Sequence, residues 1–396
     1  MKIGKKLLLA GGGHSDIPLI QAAQSLGYYV ITTGNRPDDL GHRFSDDYQP
    51  ADYSDCEAML ALATSLEVDA ICPCCNDLAA LSCAYVAEKL GLPGHDNYAT
   101  CQLLHHKDSY RQFALANDIP TPKAFGLSEK DAALCDLSNL SLPVIVKPID
   151  MSGGKGIARA ETVRDARVAI KHALAISKSK RVVVEEYLEG THHGFSGFLR
   201  DGKIVFYFSD NEHYYINKYM VSGASTPSTV PQSALDELVA TSEKIAQLLS
   251  LCTGIIHIQF VLRDNRPTII EICRRAPGDL YIQFVSRATG IDYPLWIVKA
   301  ATGDNCEGLS HSATSGYHTR HCVMGTRNGT VTEIVIDESV SNNNVDSMLW
   351  GQQGDPIDNY LIDKLGIVFL EYTSNREMND KVGKLQTLIR PIIEDS

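Results

Sequence analysis

The chain has 396 residues, enough for two or three domains with cores of their own, and its 44% hydrophobic and 21% charged residues fit an ordinary globular protein. A net charge of -12 without a basic stripe argues against a nucleic-acid partner, and no apolar run approaches the roughly 18 residues of a membrane span. Eleven scattered cysteines, behind a start that reads as no signal peptide, predict reduced thiols in a cytoplasmic setting rather than a disulfide framework.

Leu7 to Ala10 reads as a buried strand, Gly11-Gly12-Gly13 as a turn, and Ser15 as the cap of a helix with Ile17, Ile20 and Ala23 on one face. Gly27 closes that helix before a strand at Tyr29 to Thr32. Cys56 to Leu66 reads as a helix, Val68 to Cys72 as a strand, and Asp77 to Leu90 as a helix between an Asn76 cap and Gly91. This alternation predicts a parallel sheet with helices on both faces. The glycine cluster fails the dinucleotide fingerprint, because Asp16 stands where the third glycine belongs and Asn35 follows the second strand; an NAD-dependent oxidoreductase is set aside. "CPCCND", Cys72 to Asp77, lacks a second ligand pair and reads as small buried thiols.

From Asn97 to about Thr302 the pattern becomes α+β. A helix at Asp108 to Ala116 precedes a proline-rich turn, and a strand at Val144 to Val146 ends in Lys147. The loop Ser152-Gly153-Gly154-Lys155-Gly156 follows, then a helix to Ile176 with a capping box at Thr162 and Asp165. Arg181 to Glu185 is a strand, Asp201-Gly202 joins a hairpin, and Ser233 caps a helix to Leu251. Ile255 to Leu262 and Pro267 to Ile272 form another hairpin. Beyond about Gly316 a small separate cap is expected, with strands near Val323, at Val331 to Ile334 and at Gly366 to Glu371, a polar surface loop at Ser339 to Asp346, and a helix from Asn375 to Ile389.

The glycine-rich loop is no Walker P-loop, which would open a helix; here it joins two antiparallel strands. Such a loop can fold over a ligand, with backbone N–H groups and Ser152 toward phosphate oxygens and Lys147 as a fixed cation. In the last hairpin, Gln259 and Glu271 face each other if the turn at Asp264-Asn265-Arg266 has three residues; a two-residue turn would offset them. An amide oxygen opposite a carboxylate suits a hard cation shared with phosphates, and Arg275 suits a transferring phosphoryl group.

Together these stretches resemble the ATP-grasp ligases, in the branch that includes carbamoyl-phosphate synthase, biotin carboxylase and L-amino-acid ligases. The resemblance rests on "LLLAGGGHSDIPLIQAAQSLGY", "HKDSYRQFALANDIPTPKAF", "PVIVKPIDMSGGKGI", "VVVEEYLEG" and "HIQFVL" with "PTIIEICRR". It implies an α/β and α+β chain: a Rossmann-like pre-ATP-grasp domain over 1–96, an ATP-grasp domain of two α+β subdomains over 97–312 with its lid at about 120–190, and a small C-terminal α+β cap over 313–396. It implies Lys107 and Lys147 on the ATP phosphates, under a mobile loop of Ser152, Gly153, Gly154 and Gly156. Glu185 would accept from the adenine amine beside Glu186, Tyr187 and Leu188, and His192 would meet the ribose. Gln259 and Glu271 would hold Mg2+ (or Mn2+), with Arg275 and Lys147 as the catalytic cations. Gly13, Ser225, Gly278, Arg287 and Arg320 are the candidates for substrate contact.

The implied reaction is ADP-forming ligation. A carboxylate attacks the γ-phosphate, and an amine (or a thiol) displaces phosphate from the acylphosphate. The implied partners are small-molecule carboxylates and amines, with a homodimer as the oligomeric expectation and neither nucleic acid nor membrane. Three departures lower the charge at the metal site or change the ribose contact: Cys273 stands where the family has asparagine, Gln259 where an acid is common, and His192 where glutamate is common. They leave a nucleotide-binding module without turnover as the alternative.

Overall fold

The structure is a computed structural model that describes residues 4–132, 137, 141–151 and 154–394. Its first sheet is parallel, in the order Asp47–Tyr48, Tyr29–Thr32, Lys6–Ala10, Ala70–Pro73. Leu7, Leu8 and Leu9 are all fully buried, because a parallel sheet is covered on both faces and its strands therefore carry no polar alternation. The caps expected for the Asp77–Leu90 helix are present: the Asn76 side chain accepts from the Leu78 N–H, and Gly91 takes a φ of 68°. The first helix starts two residues later than Ser15. Ser15 lies in a short 3-10 turn, and the helix Ile17–Ser25 follows with Asp16 as its N-cap.

A second, four-stranded antiparallel sheet forms the lid, in the order Ala124–Ser128, Arg181–Glu186, Val144–Pro148, Ala158–Ala160. The helix Val163–Ile176 covers it with Ala166, Ala169, Ile170 and Ala173, spaced by three and four so that they share one face. Its N-cap Thr162 accepts from the Asp165 N–H at 3.2 Å.

The largest sheet has eight antiparallel strands. Arg266–Cys273, Gly254–Arg263, Thr191–Arg200 and Lys203–His213 form one half. Gly223–Thr226, Tyr317–Met324, Lys364–Tyr372 and Asn344–Leu349 form the other. Strands from the last eighty residues thus extend the sheet that carries Gln259 and Glu271, besides forming a three-stranded sheet of their own around Gly329–Ile336. The predicted loop at Ser339 to Asp346 contains the helix Glu338–Ser341 and the start of the edge strand Asn344–Leu349. An exposed edge strand reads as polar, which hid it. The helix expected to reach Ile389 ends at Val382; a short helix Leu385–Leu388 follows, and Ile389–Glu394 pairs as a strand. Pro391 and the β-branched isoleucines around it favour that extended edge. No helix among the described residues is long and apolar enough to cross a membrane.

Candidate active site

A cavity of about 360 Å³ lies between the lid sheet and the eight-stranded sheet. Lys147 enters it from the end of a lid strand, Lys107 from the first turn of the helix Lys107–Ala116, and Gly154 from the glycine loop. His192, Gln259 and Glu271 line it from the large sheet, and Arg275, Gly278 and Arg320 from its inner end. Ser152 and Gly153 lie outside the described residues.

Gln259 and Glu271 are direct cross-strand partners, although the turn between their strands has two residues, Asp264 and Asn265. Both take positive φ, 51° and 59°, as a tight hairpin turn requires. The two-residue turn sets Arg263 against Arg266 and Phe260 against Ile269. A β-bulge then adds Ile270, shifts the register by one and returns Glu271 to a position opposite Gln259. Arg111 steadies the bulge: its Nη2 donates to the Ile270 carbonyl at 2.5 Å.

The Gln259 amide nitrogen donates to Glu212 Oε1 at 2.6 Å, which leaves the amide oxygen as the free acceptor. Glu271 Oε1 receives Lys107 Nζ at 3.0 Å. Burial opposes the charge on Lys107, but Glu271 and then Asp77 outweigh it and raise its pKa. Two oxygen donors fit Mg2+, which keeps waters and phosphate oxygens in its shell; no cluster of three or more His, Cys, Asp or Glu groups suited to a metal occurs among the described residues. Cys273 lines the same cavity, and its soft sulfur is a poor ligand for Mg2+.

Arg275 reaches back to the first domain. Its Nε and Nη2 each lie 2.9 Å from Asp77 Oδ1, at the start of the Asp77–Leu90 helix. Burial works against the Asp77 carboxylate, but Arg275 and the His105 hydrogen bond at 3.0 Å outweigh it and hold its pKa well below the usual range.

Several expected contacts lie elsewhere. Glu185 is fully buried, with Lys147 Nζ 2.7 Å from its Oε2 and Arg111 Nη2 2.8 Å from its Oε1. Two cations in a dry interior need a counter-ion, and Glu185 is that counter-ion. Glu186 accepts from the Ser141 N–H at 3.3 Å, the Tyr187 N–H is taken by the Pro143 carbonyl at 3.0 Å, and neither lines the cavity, nor does Leu188. Gly156 packs on Pro148, and Gly13 donates its N–H to Asp16. Ser225 is buried behind His213, 2.9 Å from its Nε2, and Arg287 pairs with Asp346 on the outside of the molecule.

The sequence reading missed Asp210, Glu212, Tyr214 and His257, which line the cavity from the central strands, and Asp279 and Lys364, which pair at 2.6 Å at its inner end. The signal for the first three was present: Asp210, Glu212 and Tyr214 alternate after an unambiguous hairpin, which puts polar groups on one face of an otherwise apolar strand.

Residues 108–278 match the ATP-grasp domain family. The chain is 25% identical over 223 residues to the carbamoyl phosphate synthase large chain of Thermoanaerobacter sp. (strain X514), which is 55% of this chain and 20% of that one. It therefore spans about a fifth of that relative's length. The L-amino acid ligase of Bacillus licheniformis superposes with a TM-score of 0.80 at 18% identity, covering 100% of both chains. The biotin carboxylase domain of the 2-oxoglutarate carboxylase of Hydrogenobacter thermophilus, solved with MgADP and bicarbonate, superposes with a TM-score of 0.77 at 16% identity, covering 100% of this chain and 91% of that one. The architecture is the ATP-grasp fold: two sheets closing over a cation-lined cleft.

Proposed function

We propose that the chain is an ATP-dependent, ADP-forming carboxylate–amine ligase that uses ATP with Mg2+. The observation that carries the reading is one cavity in which Lys147 from the lid, Lys107 from the entering helix and Arg275 from the inner wall face the Gln259–Glu271 pair. That arrangement suits a triphosphate, with cations on its oxygens and hard oxygen donors beneath. The synthase and the ligase among the similar proteins, and the biotin carboxylase domain solved with MgADP, support the same reading.

In this reading Lys107 and Lys147 orient and neutralise the phosphates, while Arg275, held by Asp77, faces the charge that develops on the transferred group. Gln259 and Glu271 would hold the Mg2+, which supplies charge neutralisation between the phosphates. Gly154 lines the cavity against the Tyr219 backbone, and closure of the glycine loop would shield an acylphosphate from water. The carboxylate to be activated belongs near Gly278, beyond Arg275.

The test is ADP release in the presence of pools of amino acids and simple carboxylic acids. Release that depends on both a carboxylate and an amine supports the ligase. Thermal stabilisation by Mg-ATP with no turnover from any pool identifies a nucleotide-binding module instead.

A further inference from the structure

Buried carboxylates of the cavity mostly have partners. Glu212 accepts from Gln259 on one oxygen and from Tyr214 Oη at 2.6 Å on the other; Asp77 holds Arg275, and Asp279 holds Lys364. Asp210 differs. It is 1% exposed and lines the cavity, its Oδ1 accepts from Tyr281 Oη at 3.3 Å, and its Oδ2 has no hydrogen-bond partner among the described residues. The neighbouring strand makes room for it, since a Cβ on Gly194 would lie 2.3 Å from Asp210 Oδ1. Arg320 lines the same end of the cavity at 2% exposure, and its Nε likewise has no partner among the described residues. Arg320 is anchored through Nη1 to the Asp279 carbonyl at 3.0 Å, so a buried acceptor and a buried donor line one cavity without bonding to each other, and a ligand that carries both complements suits them.

We propose that Asp210 and Arg320 form the binding pair for a zwitterionic amine substrate, an amino acid, and that Asp210 takes the proton its ammonium loses before attack. The proposal rests on the ligase reading above and adds to it the class of the nucleophile and the group that activates it. An ammonium has no lone pair. One proton passes from it to Asp210; the freed pair forms the C–N bond as the C–O bond to phosphate breaks; the second proton leaves with the phosphate as the amide forms. The groups that face Asp210 are Glu212 on its own strand, Tyr281 from the helix Tyr281–Thr289, Arg320 from the strand Tyr317–Met324 and His257 from the strand Gly254–Arg263. Burial, and then Glu212, push its carboxyl up to about 7, which suits a proton acceptor at neutral pH.

The experiment supplies ATP and Mg2+ with each of the twenty amino acids and a panel of simple carboxylic acids, with and without hydroxylamine. Hydroxamate reports the activated carboxylate, and amide reports transfer to an amino acid. Asp210→Asn is expected to lower the amide-to-hydroxamate ratio about 100-fold, because hydroxylamine attacks without giving up a proton to a base first. An unchanged ratio, or equal use of ethanolamine and amino acids by the wild type, overturns the proposal. Hydroxamate without transfer to any amino acid overturns it alone and leaves the ligase reading standing; neither product removes both. Should Asp210→Asn fail to fold, the wild type decides: its ratio is expected to bend near pH 7, and a ratio without a bend overturns the proposal.

Discussion

Gln259 and Glu271 face one another across a hairpin only because Ile270 is an extra residue in one strand. Side chains alternate along a strand, so a one-residue change of register sends Glu271 to the opposite face. Deletion of Ile270 takes out the extra residue together with its bulge, so the Phe260–Ile269 pair runs straight on to Gln259–Glu271; the carboxylate is expected to stay in the cavity and Mg2+-dependent nucleotide binding to survive, read by calorimetry with and without the metal. The tight turn at Asp264-Asn265 stays intact in that variant, so the hairpin still closes. Loss of metal-dependent binding in that variant would show that the Gln259–Glu271 pairing alone does not make the site.

The enclosed triad of Glu185, Lys147 and Arg111 ties stability to the site. Glu185→Gln leaves two buried cations without their anion and is expected to destabilise the chain by about 3 kcal/mol in urea unfolding. Burial opposes the Glu185 charge, but Arg111 and Lys147 outweigh it and hold its carboxyl below the ordinary range. A carboxyl depressed by folding adds stability that is fully present above its unfolded pKa and lost as pH falls through the folded one. Stability is thus expected to decline below about pH 4.5, and more shallowly in the Gln variant. Equal acid slopes for both chains would place the titration elsewhere.

Adjacent arginines do different work. Arg274 does not line the cavity that holds Lys147 and Glu271; its Nε lies 2.7 Å from Asp96 Oδ2 and its Nη2 2.7 Å from the Cys252 carbonyl. Arg274→Ala strands a buried Asp96 and is expected to cost about 3–5 kcal/mol of stability. Arg275→Lys keeps the charge beside Asp77 but loses the planar fork, and is expected to lower turnover about 100-fold with a melting temperature close to that of the wild type. The reverse pattern, a stable Arg274 variant and an unfolded Arg275 variant, would exchange these roles.

These pairs show what was legible in the sequence. Periodicity and caps found the parallel sheet and the helix Asp77–Leu90, because local hydrogen bonds and burial alone determine them. The lysines and the Gln259–Glu271 pair stood beside hairpins and a glycine loop, which are local signals too. The ion pairs of Glu185 were not legible, because its partners Lys147 and Arg111 are brought to it by a lid strand and by the entering helix, and no spacing rule reports that. Asp210, Arg320 and Lys364 are likewise far apart in sequence and meet only where the eight-stranded sheet passes into the last eighty residues.

Lys107 and Glu271 bind each other at 3.0 Å, so the cation proposed for phosphate rests on the carboxylate proposed for metal. Without nucleotide, a divalent ion must displace that ammonium to reach Glu271; with nucleotide, the phosphates draw the ammonium away and the metal can enter beside them. Lys107→Gln is therefore expected to move two affinities in opposite directions. Removing a partly buried ion-pair partner worth about 1 kcal/mol tightens binding of Mn2+ alone about fivefold. Losing a phosphate contact weakens binding of ATP, by at least about tenfold for a desolvated charge. Calorimetry with each ligand measures both, and parallel changes in the two affinities would show that Lys107 does not pass from carboxylate to phosphate.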